Sequence, residues 1–230
     1  MDAVYFLKQR TNFIRFYYDT ALAPFKGVQS AVENGKPPFD DPPYSEDPEP
    51  AFLDEWMDAE AATRILGITC VSMLSDTLKL YFEALQHRVI AFDFVEPKKN
   101  AFEKGFVDAY FSVLGPILDT DWSDWPVDLS IFEQVVLVRN RGQHPESLSS
   151  LGVDYDVNML KKHPIPFFAT DEERETWAAA GDPASLFMMG EIQVTKDRLF
   201  AAISEVEKLA EWIDGRMDKA MEWRERQARG

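Results

Sequence analysis

Residues 52–88, FLDEWMDAEAATRILGITCVSMLSDTLKLYFEALQHR, decide the fold class of this chain. Apolar side chains recur in this stretch every three or four residues, at Ile65, Ile68, Val71, Leu74, Leu78, Tyr81, Phe82 and Leu85. This period places them on one face of an α-helix. The stretch therefore predicts a long helix with one buried face. Cys70 falls inside that apolar region, where a thiol is expected to pack rather than to react.

Further segments have helical patterns of their own. The predicted helices cover residues 3–22, 99–114, 171–180 and 190–226, with another that begins at Ser130 and ends near His144. Pro24, Gly115-Pro116 and Gly181 are expected to end the helices that precede them, since Pro cannot continue a helix and Gly favours a C-cap.

Two of these helices begin with the same sequence pattern. Ser130 is followed three residues later by Glu133, and Thr170 is followed three residues later by Glu173. In such a capping box the hydroxyl and the carboxylate each accept a hydrogen bond from an otherwise unpaired backbone N–H group. The sequence therefore predicts a capping box at the start of each helix.

The first helix carries an aromatic stripe. Phe6, Phe13, Tyr17 and Ala21 lie near one line along it, and Ile14 and Tyr18 widen that line. Packing in the protein core is the expected role of this stripe. A helix that lies on a membrane surface is the alternative, although the basic residues in this segment are few.

Two segments lack helical periodicity. Residues 35–50, GKPPFDDPPYSEDPEP, are rich in Pro and in acids and predict a solvated connector, with a polyproline-type recognition segment as the alternative. Residues 145–183 are expected to be irregular apart from the short helix at 171–180. No segment alternates apolar and polar residues over the length of a strand. We therefore predict an all-α fold, with four or five main helices in a single domain over residues 1–230.

The composition excludes several classes of protein. Asp and Glu number 40 against 24 Lys and Arg, a net charge of −16, which argues against coating nucleic acid by bulk charge. A single cysteine excludes an intrachain disulfide and fits a reducing cytosol. No signal peptide and no apolar run of membrane-spanning length is recognised. A cytoplasmic protein without a membrane role is expected.

A short motif lies at the end of the helix that begins at Ser130. It reads Arg139-Asn140-Arg141-Gly142-Gln143-His144, with four residues between the Arg and the His. The motif and its helical setting resemble the HEPN superfamily, which comprises small helical bundles found in toxin, defence and RNA-processing proteins. The resemblance covers about residues 55–215, so that the helix at 3–22 and the loop at 35–50 would be accessory.

This resemblance implies a metal-independent endoribonuclease. RNA supplies its own nucleophile, the 2′-OH, and cleavage needs a base, an acid and positive charge at the phosphate. His144 is expected to act as base or acid, and Arg139 to donate to the phosphate oxygens. Asn140 is expected to orient His144 or to donate to the phosphate.

The resemblance also implies partners. In HEPN ribonucleases two protomers bring their motifs into one cleft, so that a homodimer is implied, with RNA as substrate and an antitoxin or regulatory protein as partner. Arg141, Lys161 and Lys162 are expected to bind substrate by adding local positive charge. No metal and no cofactor is required.

Other interpretations stay open at this point. Arg139 and Arg141 complement the dipole at a helix C-terminus and His144 could cap its carbonyls, which would leave a catalytically silent module that binds a protein or a nucleotide. Asp119, Asp121, Asp124 and Asp128 lie in one loop. This loop would suit a metal-dependent hydrolase, although it lacks the glycine and the register of a calcium loop.

Overall fold

The structure is a computed structural model that describes residues 2–44, 46, 48–94, 100, 102–103, 105–144, 151–155, 157–180 and 190–229. Clustering by contact divides the chain into two compact units, each assembled from separate segments. Unit 1 contains residues 1–13, 73–136 and 200–230, and unit 2 contains residues 14–72 and 137–199. The single domain expected from the sequence stays a prediction.

Helices form the regular structure of the described residues, which confirms the all-α prediction. They are α1 (Ala3–Glu33), α2 (Leu53–Ala84, continued by a π-helical turn Leu85–Val89), α3 (Phe106–Leu118), α4 (Leu129–Gln143), α5 (Val157–Lys162), α6 (Asp171–Ala180), α7 (Lys196–Asp214) and α8 (Met217–Arg229). The extended pairing found in the described chain is one isolated antiparallel bridge between Asp154 and Glu191.

Helix α2 matches the prediction for residues 52–88. Its predicted stripe is buried from Ile68 to Leu85, whereas Ile65 at the start of the stripe is 42% exposed. Cys70 is fully buried, and burial raises the pKa of its thiol to about 12. Because the thiolate is the reactive form, this thiol is inert at neutral pH, as the apolar pattern indicated.

Helix α1 differs from its prediction in length. It continues through Pro24 to Glu33 instead of ending near residue 22. Phe25 and Val28 are half-buried and Gln29 is buried beyond the proline. This packing offsets the hydrogen bond that Pro24 cannot donate.

Helix α1 also differs in the face that it buries. Phe6 and Phe13 are more than half exposed, so the prediction that they belong to the core was wrong. Ile14 and Tyr18, which were predicted to widen the stripe, are buried, and Leu7 and Thr11 complete the buried face. Thr11 occupies an apolar position because its hydroxyl donates to the carboxylate of Glu207; a hydrogen bond offsets the cost of burying a polar group.

Helix α3 begins later than the predicted segment 99–114, of which Lys99, Ala101 and Lys104 lie outside the described residues. It begins at Phe106, directly after Gly105, whose φ of +104° favours glycine. It then continues through Gly115-Pro116, which was expected to end it, and stops at Asp119 in a left-handed conformation. Ile117 and Leu118 are buried, and their burial stabilises the last turn beyond the proline.

The predicted last helix, 190–226, is two helices. The residues from Gly190 to Thr195 are not helical, and Gly215 separates α7 from α8. At this break Arg216 stacks over the ring of Trp212, with its guanidinium carbon 3.7 Å from the ring centre, and forms an ion pair with Asp124. These contacts explain why the chain turns here, although the apolar period alone suggests one helix.

Helix α4 begins one residue earlier than predicted. The carboxylate of Asp128 accepts a hydrogen bond from the backbone N–H of Ser130 at 2.9 Å, so that Asp128 is the cap and Ser130 lies inside the helix. The predicted capping box of Ser130 was therefore wrong. The other predicted box is confirmed, since Thr170 and Glu173 exchange hydrogen bonds at the start of α6.

The region 145–183 is more regular than expected where it is described. Helix α5 was not predicted, whereas α6 coincides with the predicted helix 171–180. Tyr155, Phe168 and Trp177 are buried within unit 2, and the hydroxyl of Tyr155 donates to the carbonyl of Phe168 at 2.5 Å. The predicted helix end at Gly181 lies outside the described residues.

One helical stretch, Leu53–Val89, is long and apolar enough by composition to cross a membrane, with a mean hydropathy of 1.3 in its most apolar window. Of that window, 61% is buried inside the protein. The core helix of a globular protein has the same properties, so this stretch is not a clear membrane signature.

Candidate functional site

The C-terminal turn of α4 brings the first two residues of the predicted motif together. Arg139 is partly buried and Asn140 is exposed. Nη1 of Arg139 donates a hydrogen bond to Oδ1 of Asn140 at 3.2 Å. The bond leaves the amide NH₂ group of Asn140 as a donor at the protein surface.

Two long-range contacts within unit 2 fix this turn. A Cβ atom added at Gly142 would lie 2.4 Å from Cγ2 of Ile68, so only glycine allows α4 to approach α2 this closely. Nη2 of Arg141 donates to the backbone carbonyl of Asp154 at 3.3 Å. Asp154 is also half of the isolated bridge with Glu191, which forms an ion pair with Arg64. Packed residues of unit 2 thus hold the backbone of the motif, although the side chains of the motif reach solvent.

His144 lies one residue beyond the end of α4 and is exposed. Its backbone N–H donates to the carbonyl of Arg141 at 3.2 Å, which closes a turn after the helix. This bond caps the C-terminus of α4, as the non-catalytic interpretation of His144 predicted. Its imidazole is accessible to solvent, as a group that exchanges protons with a substrate must be.

The predicted substrate-binding lysines lie on a separate element. Lys161 and Lys162 form the last turn of α5 and are exposed, whereas the sequence placed them in a loop. Their charges complement the negative end of that helix. His163, which follows them, is buried and is not available as part of an exposed basic cluster.

The chemistry available at the end of α4 follows from these groups. A guanidinium offers several N–H donors that match phosphate oxygens, and Arg139 engages one of its terminal nitrogens with Asn140. The exposed imidazole of His144 has two ring nitrogens that can donate or accept hydrogen bonds. The end of α4 thus carries a guanidinium and an exposed imidazole five positions apart along the chain.

The acid-rich loop between α3 and α4 has structural roles. Oδ1 of Asp121 accepts a hydrogen bond from the backbone N–H of Ser123 at 3.0 Å, and the hydrogen bonds from Ser123 lower the pKa of this carboxyl. Asp124 forms an ion pair with Arg216 and Asp128 caps α4. Within the described part of the chain no group of three or more His, Cys, Asp or Glu side chains could hold a metal ion.

Comparisons with known proteins were made at three levels, and no family model, no curated protein and no solved structure matches this chain. The resemblance to HEPN proteins therefore stays a prediction from the motif and its helical setting.

The structure also contains a basic site that the sequence did not reveal. Arg10 of α1 lies beside Thr77 of α2, and its Nε donates to the hydroxyl of Thr77 at 3.2 Å. His87 and Arg88 line the same groove within unit 1. Because 67 positions separate Arg10 from Thr77, no local sequence motif predicts this site. The signal that the sequence does contain is Arg10 on the same face of its helix as Phe6.

Proposed function

We propose that the protein is a metal-independent endoribonuclease of HEPN type whose site is the end of α4. The observation that carries this proposal is the hydrogen-bonded pair of Arg139 and Asn140, held on a packed helix end with the exposed His144 directly after it. A functional site of this kind requires reactive side chains at the surface and a rigid backbone beneath them.

Each residue has a defined role in the proposed reaction. His144 removes the proton of the RNA 2′-OH or protonates the leaving 5′-oxygen. Arg139 donates to the non-bridging phosphate oxygens as negative charge develops on them. Asn140 positions Arg139 through their hydrogen bond. Arg141, Lys161 and Lys162 attract the backbone of the substrate, which a chain with a net charge of −16 would otherwise repel.

The proposal includes a cytoplasmic homodimer. One His per site supplies either the base or the acid, whereas cleavage uses both, so a second motif from a partner protomer completes the reaction. A role as a toxin or defence component, controlled by an antitoxin or another regulatory protein, belongs to the same proposal.

RNA cleavage by the purified protein in EDTA tests this function. We expect the wild type to cut RNA and to leave 2′,3′-cyclic phosphate ends, because the 2′-OH is the nucleophile. Arg139→Ala and His144→Ala are each expected to lower the cleavage rate by about 100-fold or more. Gln143→Ala is the matched control, since this exposed residue lies in the same turn and has no role in the reaction.

Two results would contradict the proposal. Equal cleavage by the wild type, Arg139→Ala and His144→Ala would show that the activity does not come from this site. Absence of cleavage by the dimeric wild type over a panel of structured and single-stranded RNAs would favour the alternative function.

That alternative is a module that binds a protein partner, and the exposed face of α1 favours it. Tyr5, Phe6, Phe13 and Phe16 are 53%, 53%, 54% and 66% exposed along this one helix. A row of aromatic side chains in solvent is typical of a surface that a partner covers. Replacing Phe13 and Phe16 by Gln would abolish partner binding in this case while leaving the fold intact.

A further inference from the structure

A groove in unit 1 runs between the N-terminal part of α1 and the C-terminal part of α2, with a volume of about 380 Å³. Its lining includes the buried residues Leu7, Thr77 and Tyr81. The apolar side chains of Phe6 and Leu80 also line it and are 53% and 46% exposed. The volume lies near the lower end of the range of small-molecule pockets. The groove therefore offers one small ligand a largely apolar surface.

The groove is elongated along the two helices. Arg10 of α1 bonds to Thr77 of α2. Ala3 lines the groove together with Ala84 and His87, so the two helices run antiparallel along it. At 1.5 Å per residue, the ten positions from Thr77 to His87 span about 15 Å of helix. A groove of this length and volume suits a linear chain better than a compact ring system.

One end of the groove carries a cation in a fixed position. Nε of Arg10 donates to the hydroxyl of Thr77 at 3.2 Å, and this bond orients the guanidinium. In the described part of the chain no carboxylate pairs with that guanidinium, so its terminal N–H groups can donate to a ligand. A carboxylate matches this donor geometry, because its two oxygens can accept bonds from two N–H groups at once.

The remaining charged groups of the lining lie toward the opposite end. Glu83 is six positions beyond Thr77, which corresponds to about 9 Å along α2. Arg88 has an interaction of its own, so Arg10 is the cation that we assign to a ligand. A second acid on the ligand would lie toward Glu83. The lining thus favours a ligand with one negative charge at the end near Arg10 and an apolar remainder.

We propose that the groove binds a free amphipathic carboxylate with a linear hydrocarbon chain, such as a medium-chain fatty acid. Its carboxylate accepts hydrogen bonds from Arg10, and its chain lies between Phe6 and Leu80 toward Ala84. Binding then removes the exposed apolar surface of these two side chains from water. This inference is independent of the proposed ribonuclease function, since it uses none of the residues at the end of α4.

A free acid fits the groove better than a lipid within an anionic membrane does. The volume of the groove is that of a site for one small molecule. The chain carries a net charge of −16, which opposes its approach to an anionic bilayer, whereas a single small anion experiences mainly the nearby guanidinium.

Isothermal titration calorimetry of the full-length protein with decanoate, kept below its micelle concentration, tests the proposal. We expect one site per chain and an affinity that decreases as salt is added. Arg10→Gln should raise the dissociation constant by about 10-fold, because it removes the charge-assisted hydrogen bonds. Arg226→Gln is the matched control and should leave the constant unchanged, since this exposed arginine of the same unit lies outside the groove.

Two further comparisons separate the carboxylate from the chain. Decanol keeps the chain but lacks the charge, so it should bind the wild type about 10-fold more weakly than decanoate and should not distinguish Arg10→Gln from the wild type. Ala84→Leu fills the groove from α2 and should raise the dissociation constants of both ligands by about 10-fold or more, with an unchanged circular dichroism spectrum. Ala3→Leu repeats this test from α1.

Three results would overturn the proposal. The first is absence of decanoate binding, or binding that either Arg10→Gln or both groove-filling variants leave unchanged. The second is equal affinity for decanoate and decanol, which would show that the groove does not recognise a carboxylate. The third is sedimentation with phosphatidylglycerol vesicles without binding of the free acid, which would identify a membrane surface as the ligand.

Discussion

Helices α4 and α6 start with the same sequence pattern and are capped differently. Ser130 and Thr170 are each followed three residues later by a glutamate. Thr170 caps its helix with its own hydroxyl, whereas Ser130 lies in the second position of a helix that Asp128 caps. The sequence pattern therefore predicts the cap of α6 correctly but not the cap of α4.

At the start of α6, the residues of the capping box themselves provide hydrogen-bond acceptors for the backbone N–H groups. The backbone N–H of Thr170 donates to Glu173 at 2.8 Å, and the backbone N–H of Glu173 donates to the hydroxyl of Thr170 at 3.2 Å. The residues before Thr170 are buried at Phe168 and Ala169, and neither offers a side-chain acceptor. No competitor for the cap precedes the box, so the local pattern decides the helix start.

At the start of α4, a second possible cap residue lies two positions before Ser130. Asp128 accepts from the N–H of Ser130, and its own backbone N–H donates to Glu205 at 3.1 Å. A carboxylate is a stronger acceptor than a hydroxyl, and it also complements the positive end of the helix dipole. The longer-range bond to Glu205 on α7 fixes the cap residue. A local pattern thus predicts a cap only when no better acceptor stands just outside it.

The C-terminal end of α4 depends even more on distant residues, and this yields the largest expected effect. Gly142→Ala would place a methyl group 2.4 Å from Cγ2 of Ile68, so the substitution should lower the free energy of unfolding by about 1–3 kcal/mol. Gly27→Ala is the control, because nothing lies within 4 Å of its added Cβ. That control should be neutral or stabilising by up to about 1 kcal/mol. Urea denaturation of both variants checks the difference, and equal effects would refute the close approach of α4 to α2.

The second-largest expected effect concerns the capping box of α6, which the sequence predicted correctly. Thr170→Ala removes the hydroxyl that caps α6 and should cost about 1 kcal/mol of unfolding free energy, whereas Thr170→Ser keeps the hydroxyl and should cost less than half as much. Thermal and urea denaturation measure both. If Thr170→Ser destabilised as strongly as Thr170→Ala, the methyl group rather than the cap would be the stabilising feature.

The same distinction between local and distant contacts explains how much of the fold was predictable. The period of α2 depends on residues of the helix itself, and it predicted both bounds and the buried face. The end of α1 was missed because the packing of residues beyond Pro24 outweighs the local signal of the proline. The break between α7 and α8 was missed because Arg216 and Asp124 are 92 positions apart.

The candidate site follows the same rule. The motif from Arg139 to His144 is local, and its place at a helix end was predicted from its sequence. Its supports, Ile68 and Asp154, are remote in the chain and could not be inferred. The groove between α1 and α2 had no motif at all, since its cations come from separate helices. The sequence therefore predicted the residues of the motif, but it did not predict the distant residues that hold the motif in place.

The smallest expected effect separates the two capping residues of α4. Asp128→Ala removes the carboxylate cap and should cost about 0.5–1 kcal/mol of unfolding free energy, reduced by the exposure of this residue. Ser130→Ala should change stability by no more than a few tenths of a kcal/mol, because its backbone N–H, which alanine retains, makes the capping bond. Urea denaturation at low salt measures the difference. A larger loss for Ser130→Ala than for Asp128→Ala would restore the capping box at this helix and would make the local pattern sufficient at both sites.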